Sequence, residues 1–587
     1  MKKESIRTRT AYNSAVKTAV RISNCLKLNW ISNHKNFKKI FLILPFLLYF
    51  LLSYFFFGPQ HLSGLTHSLF NAGPDPETFV WFLYWWPHAL LLHINPFVTR
   101  YIWFPAGFNL TWATSIPSIA LIMSPITLLF RASTSYNMLA LIAPALSAAS
   151  CFYLIYFVTK KYLPSLFGGY IYGFSSYEIT QLLGHPNLYI SFLIPLAILL
   201  FLLRFKGAIK KVSFILLMTL VLVVQFGIST EIYSTFIVFS VMAFLIFYFL
   251  SDKNDRKRML SVSFEIFWAV GISLILLSPF LYYLLIGYKN AQYSLKSPGV
   301  YSTDLLNYII PTPITRLGSN IFEHITGRFT GNYSEEGAYL GIPLILIIFH
   351  FATKYWRKSY AKALVLVLIV LAIFSLGPLL QVNGVNTHVP LPWAIGTNLP
   401  FIQSALPTRF TMYVFFIVAI IVGLWLSSEV NRKQLVIKYL IVLIAIAFII
   451  PNTAFDTWKT VDIPKIFETH TMRTLIKKNT NVVILPYGES GSSMYYQYLS
   501  GMYFTQTGGY VSFPPPGEYA SNPVVQSFDS NILAPNFKNN LKIFCAENRV
   551  TKIIYTSQTS NNLVKAINLL GWPSEKIGES TIVTVQL

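Results

Sequence analysis

The sequence predicts an α-helical polytopic membrane protein of about eleven transmembrane helices, followed by a small α/β domain. Three observations predict it. The 587 residues are 54% hydrophobic and only 11% charged, where a soluble domain carries about 25% charged residues. Apolar runs of roughly 20 residues, enough to cross about 30 Å of hydrocarbon, recur along the chain. Lysine and arginine, which bring the net charge to +23, gather in alternate loops between those runs. This composition excludes a soluble enzyme and, through its apolar excess, a disordered chain.

Residues 1–39 form a basic, polar cytoplasmic segment, too long for the charged region of a secretory signal. The transmembrane domain, 40–451, holds apolar spans at about 40–57, 137–159, 164–182, 188–203, 212–229, 232–250, 262–287, 337–353, 363–380, 409–427 and 434–451. Two further stretches, 78–94 and 115–130, are short or interrupted by Pro87 and Pro117, and Trp81, Trp85, Trp86, Trp103 and Trp112 flank them. Tryptophan collects at the membrane–water boundary, so both are expected as interfacial helices in the first outer loop. With the N-terminus in the cytoplasm, 27 of the 45 Lys and Arg lie inside with 5 of the 22 acids, which sets the inner face at +22 and the outer at +1. Such an excess marks the cytoplasmic side and attracts anionic lipid heads of the bilayer. The basic charge is thus a topology signal for a plasma-membrane protein, and no basic patch interleaved with stacking aromatics points to nucleic acid. Cys25, Cys151 and Cys545 are too scattered for a disulfide framework or a zinc motif.

The tail, 452–587, is expected on the outer side as an α/β domain. A helical run near 464–478 precedes strand-like Val482–Leu485, and Lys552–Tyr555 and Thr581–Val585 are also β-branched or alternating. Asn561–Leu570, between the last two, is an amphipathic helix candidate, and Pro514–Pro516 marks a turn. The sequence carries no internal repeat.

Ionisable groups close to the spans are few on the outer side, and such groups are expensive and usually functional. In Asn71-Ala-Gly-Pro-Asp75-Pro76-Glu77-Thr78, Asp75 is expected as a helix N-cap with Pro76 at the first helical position and Glu77 in the first turn. A carboxylate held this way at the outer surface also suits a general base. Gly184-His185-Pro186-Asn187 is a tight outer turn whose His185 and Asn187 can meet a substrate, although turn chemistry alone accounts for the residues. Glu231 is placed to cap the following span or to face a cavity. Glu335 and Glu336, with Glu323 and His324, give a weak divalent-cation signal and are expected in a solvated loop. Arg409, at the outer mouth of a span, suits a lipid phosphate through its bidentate geometry, or snorkels to the interface; Lys289, Arg316 and Arg328 compete for that task. No Walker loop, dinucleotide fingerprint, HExxH or nucleophile elbow occurs.

An acid in the first outer loop (Asp75, with Glu77), interfacial helices in that loop, and a membrane module followed by an outer soluble domain give the chain a resemblance to the GT-C superfamily of integral membrane glycosyltransferases. The closer likeness is to bacterial YfhO-like membrane proteins, through Asn95-Pro96-Phe97, the run from Phe104 through Pro105, Gly107 and Asn109 to Trp112, Tyr170-Ile171-Tyr172-Gly173-Phe174-Ser175 and Gly184-His185-Pro186-Asn187, over roughly residues 40–450 and most specifically 71–200. The resemblance implies a GT-C-like fold with its soluble domain outside, and a polyprenyl-phosphate sugar donor whose sugar passes to a cell-envelope glycan or polymer. It puts Asp75 and Glu77 at the first-loop carboxylate, with His185, Asn187, Glu231, Arg409, Arg316 and Lys289 around the substrates. Some members carry an acidic metal-binding pair in the second outer loop, where this chain has Gly-His-Pro-Asn, so the resemblance leaves the cofactor unknown. Two rivals remain: a transporter or flippase of a lipid-linked glycan, and a non-catalytic envelope scaffold. The lack of a repeat and the gathering of charges at the outer mouths favour the enzyme over the transporter.

Overall fold

The computed structural model describes residues 35–287, 299–318, 321–399, 402–512 and 514–587. Lys289 and residues 1–34 of the basic N-terminal segment lie outside the described residues. Six segments are long and apolar enough to cross a membrane: Ala132–Thr159, Pro186–Phe205, Lys211–Ile228, Thr230–Leu250, Lys253–Leu276 and Pro407–Ser427. Ile43–Phe57, Gly341–Tyr355 and Ser359–Ser375 are shorter apolar helices. The protein is a multi-pass helical membrane protein.

The helices that position the site are α1 (Lys35–Phe57), α2 (Pro74–Leu91), α3 (Ala132–Thr159), α4 (Tyr162–Gly173), α5 (Ser176–Gln181), α6 (Pro186–Tyr189), α7 (Leu193–Phe205), α8 (Thr230–Leu250), α9 (Lys253–Leu276) and α10 (Thr411–Ser427). Helix α3, at 28 residues, spans about 42 Å at 1.5 Å per residue. It packs against α4 through Gly168, Gly169 and Gly173. A Cβ on Gly173 would stand 2.5 Å from the backbone of Ala148 and Pro144, so these helices approach more closely than any side chain allows. The expected span 164–182 is not one helix. It breaks at Phe174, and the Ser175 hydroxyl caps α5 by accepting the Glu178 N–H at 3.2 Å. On the side assigned to the cytoplasm, Arg204 of α7 forks onto Glu265 of α9 with two bonds of 2.7 Å, which neutralises a buried carboxylate.

The stretch 78–94 forms most of α2, and 115–130 gives two helices of six residues, Pro117–Ile122 and Ser124–Leu129. At about 9 Å each, those two are too short to cross. The first loop is pinned by Asn137 of α3, whose amide bonds the Leu65 and Ser68 carbonyls at 2.9 and 2.7 Å and accepts the Phe70 N–H at 3.0 Å. Next to it, β1 (Leu69–Phe70) pairs antiparallel with β2 (Trp458–Lys459), which ties this loop to the start of the tail.

Beyond β2 the chain builds a mixed sheet from β3 (Asn481–Leu485), β4 (Thr505–Gln506), β5 (Lys552–Tyr555), β6 (Ser574–Ile577) and β7 (Ser580–Thr584), in the order β6-β7-β5-β3-β4. The β4 and β5 strands flank β3 in parallel, while β6 and β7 form a hairpin whose β7 runs antiparallel to β5. The free edge at β4 does not end the hydrogen bonding. Gln506 donates to the Tyr101 carbonyl at 2.9 Å and accepts from the Phe104 N–H at 3.0 Å, and the Trp103 N–H reaches the Gly508 carbonyl at 3.0 Å. First loop and tail thus share one edge, and an unpaired edge is covered in the process. One continuous apolar core runs from Tyr49 in α1 to Val483 and Leu485 in β3.

Candidate functional site

The segment Asn71–Thr78 meets the α5–α6 turn and the tail at one point. Helix α2 begins at Pro74, with Gly73 as the N-cap and no side-chain cap. Asp75 is therefore the second helical residue and not the N-cap, because Pro74 already fills the first position with its preset φ. The Asp75 carboxylate is left to other partners. Its Oδ2 lies 3.4 Å from His185 Nε2. Its Oδ1 accepts the Tyr510 hydroxyl at 3.1 Å and the Ser512 hydroxyl. Burial by itself would raise the carboxyl, but His185, Ser512 and Tyr510 outweigh it and hold Asp75 at about 2. The side chain is 30% exposed, so an ionised, oriented carboxylate faces an accessible space.

His185 keeps its Nδ1 buried without a hydrogen-bond partner. Asn187 is buried two residues on, in the one-turn helix α6. Gly184 brings this turn against the start of α2, where an added Cβ would stand 3.1 Å from Pro76 and 3.7 Å from Asp75 Cβ. Glu77 does not face His185. It is buried beside Ser492 in the tail, and burial, only partly offset by that hydrogen bond, pushes its carboxyl up to about 7. Asn71 links a third group: its amide donates to the Leu182 carbonyl at 3.2 Å and to Asp456 at 3.3 Å. Burial lifts Asp456 to about 7, against the lowering effect of Asn71.

A second constellation lies at the N-terminal end of α10. Arg409 Nε sits 3.0 and 3.2 Å from the two carboxylate oxygens of Glu335, and its Nη1 pairs with Glu231. Glu231 also accepts the Leu406 N–H at 2.9 Å. The cap of α8 is Ser229, so Glu231 serves the ion pair and not the helix end. Glu335 and Glu336 are buried, which corrects the expectation of a solvated loop; Glu323 and His324 are exposed. Glu335 is buried because a guanidinium with two carboxylate partners satisfies its charge where water is excluded. Arg409 consequently has its fork filled by protein carboxylates. Arg316 and Arg328 are exposed, and no ion pair among the described residues includes them.

Sequence reasoning missed two participants and one buried acid. Tyr510 and Ser512 carry no local signal, since they reach Asp75 across more than 430 positions. Glu178 did carry one, being an acid inside an apolar run. It is fully buried, takes a hydrogen bond from the Ser191 hydroxyl and leaves Oε2 unpartnered. Among the described residues no group of three or more His, Cys, Asp or Glu is placed to hold a metal ion.

The site is thus a carboxylate at the start of the first-loop helix of a multi-pass helical module, completed by a turn between two helices and by the tail. A family described as "Domain of unknown function (DUF6311)" matches residues 46–450, and the chain belongs to that family. No curated protein matches the sequence. Among solved structures, it resembles the arabinofuranosyltransferase AftD from Mycobacteria, with a TM-score of 0.56 at 12% identity over 93% of this chain. It covers 40% of that chain, well under half the length. It also resembles the Archaeoglobus fulgidus oligosaccharyltransferase solved with zinc and sulfate, with a TM-score of 0.51 at 14% identity over 88% of this chain and 68% of the other.

Proposed function

We propose that this chain is a membrane glycosyltransferase that moves a sugar from a polyprenyl-phosphate donor to a cell-envelope acceptor on the outer face of the plasma membrane. The observation that carries the reading is the ionised, partly exposed Asp75 carboxylate, oriented by three donors in the first outer loop of a GT-C fold. Asp75 takes the proton of the acceptor hydroxyl as that oxygen attacks the anomeric carbon. His185, facing Oδ2, bounds the space the acceptor enters, with Asn187 in the same turn. The departing phosphate gains charge that a cation offsets. Arg316 and Arg328, which no ion pair among the described residues includes, are proposed for that task, whereas Arg409 acts as a strut between Glu231 and Glu335.

The test is transfer by purified protein in proteoliposomes, using polyprenyl-phosphate donors with radiolabelled pentose or hexose and an envelope glycan fraction as acceptor. Asp75→Asn is expected to lose at least about 100-fold in rate with normal folding. Undiminished transfer by that variant would sink the assignment.

A further inference from the structure

We propose that Tyr510 and Ser512 are positioning residues for Asp75, so that the tail completes a site whose carboxylate comes from the first outer loop. The inference rests on the reading of Asp75 as proton acceptor and adds the residues that aim it. The two oxygens of Asp75 have separate partners: Oδ1 takes both tail hydroxyls, and Oδ2 faces His185. Tyr510 is itself tied to the same helix, because its carbonyl accepts the Thr78 hydroxyl at 2.9 Å. Loop and helix are thus joined twice within one helical turn. Next in line, Trp81 donates to Gln497 at 2.9 Å, and the Gln497 amide reaches the Tyr101 carbonyl at 2.8 Å. The segment carrying Tyr510 and Ser512 therefore cannot shift without disturbing the face of α2 that carries Asp75.

The local backbone is committed to this contact. Gly509 takes φ +136°, and a Cβ there would lie 3.2 Å from Ile102. Ser512 takes φ +53°, a left-handed conformation uncommon outside glycine. The groups around the carboxylate are His185 from the α5–α6 turn, Tyr136 from α3, and Tyr510 and Ser512 from the tail, with Glu489 beyond Tyr510. Of these, only the tail hydroxyls bond Oδ1. In the reaction, the acceptor O–H proton passes to Asp75 and the acceptor oxygen bonds the anomeric carbon. The anomeric C–O bond breaks with its electron pair going to the departing phosphate. A carboxylate turned away from the acceptor fails at the first of these events.

Ser512→Ala and Tyr510→Phe each remove one oxygen. In the proteoliposome assay each is expected to lower kcat about ten-fold, the scale of one hydrogen bond to a charged group, with acceptor KM within about two-fold of wild type. The acid limb of the kcat profile moves toward neutral pH, and Ser512→Thr recovers both rate and profile. A substrate-free readout is the infrared carboxyl band assigned by difference against Asp75→Asn, which protonates at higher pH in either variant. Wild-type kcat, acid limb and carboxyl titration in both variants would overturn the inference. A fall in acceptor KM at unchanged kcat would overturn it too, because Ser512 would then be occupying the acceptor's place. If Asp75→Asn is inactive while both tail variants behave as wild type, this inference fails alone. If Asp75→Asn is fully active, the functional reading fails with it.

Discussion

Glu77 shows how far burial controls a single charge in this fold. Its carboxyl sits in the seam between α2 and Ser492, pushed up from 4.5 to about 7 by burial. The folded state then holds a proton that the unfolded chain releases near 4.5, so stability falls as pH rises from about 4.5 to 7. The whole effect is about 3 kcal/mol at 1.36 kcal/mol per unit. Asp75 has the opposite sign. Held at about 2 against an ordinary 3.8, it contributes stability above pH 4 that is lost as pH falls through 2. Glu77→Gln should flatten the loss between pH 4.5 and 7 and raise the unfolding midpoint at pH 8, read by thermal unfolding in detergent. Arg409 is the other residue whose change would be felt widely. Arg409→Leu strands two carboxylates, one of them buried, and should cost about 3–5 kcal/mol by the same measurement. Exchanging Glu335 for Gln in that background should recover part of the loss, since one stranded charge is then gone.

At the scale of elements, the contact between α3 and α4 decides how closely the helices beside the site approach. Gly173→Ala forces a methyl against the backbone of Ala148 and Pro144 and should destabilise by about 1–3 kcal/mol, the usual cost of overpacking. Gly271 in α9 is the control. Nothing lies within 4 Å of a Cβ there, so Gly271→Ala should be neutral or stabilise by up to about 1 kcal/mol through helix propensity. Unfolding midpoints of the two variants separate packing from propensity. The break between α4 and α5 was legible in outline: Ser175 and Glu178 have the spacing of a capping box, but the surrounding apolar run reads more strongly as one span. The strands at Val482–Leu485, Lys552–Tyr555 and Thr581–Val585 were legible because β-branched runs bounded by turn residues persist locally. The start of α2 was misjudged by two residues, since two prolines flank Asp75 and either one suits the first helical position.

For the molecule as a whole, loop charge predicts that the tail and the Arg204–Glu265 end lie on opposite sides of the bilayer. A cysteine at exposed Asn539 should react with a membrane-impermeant maleimide on intact cells, and one at exposed Lys257 only after permeabilisation. The background would have Cys25, Cys151 and Cys545 replaced by alanine. The reverse pattern would invert the assigned topology and put Asp75 on the wrong face for an envelope acceptor. The joint between tail and first loop follows from a physical demand and not from local sequence. The edge of β4 presents unpaired backbone groups, and Tyr101–Phe104 supplies their partners. That joint carries Tyr510 and Ser512 to Asp75.

The sequence by itself determined that the chain is a multi-pass helical membrane protein, and it singled out Asp75, Glu77, His185, Glu231 and Arg409. It does so because hydrophobic length, charge segregation and turn chemistry are local properties that survive without a fold. Only the tertiary structure decided how those residues pair. It set Asp75 against His185 and two hydroxyls from the tail, sent Glu77 to a buried seam, and filled the Arg409 fork with Glu231 and Glu335. Each of those pairings joins groups that are remote in the chain, and the energy that selects them, burial of charge with its compensating hydrogen bonds, exists only once the helices and the sheet have packed.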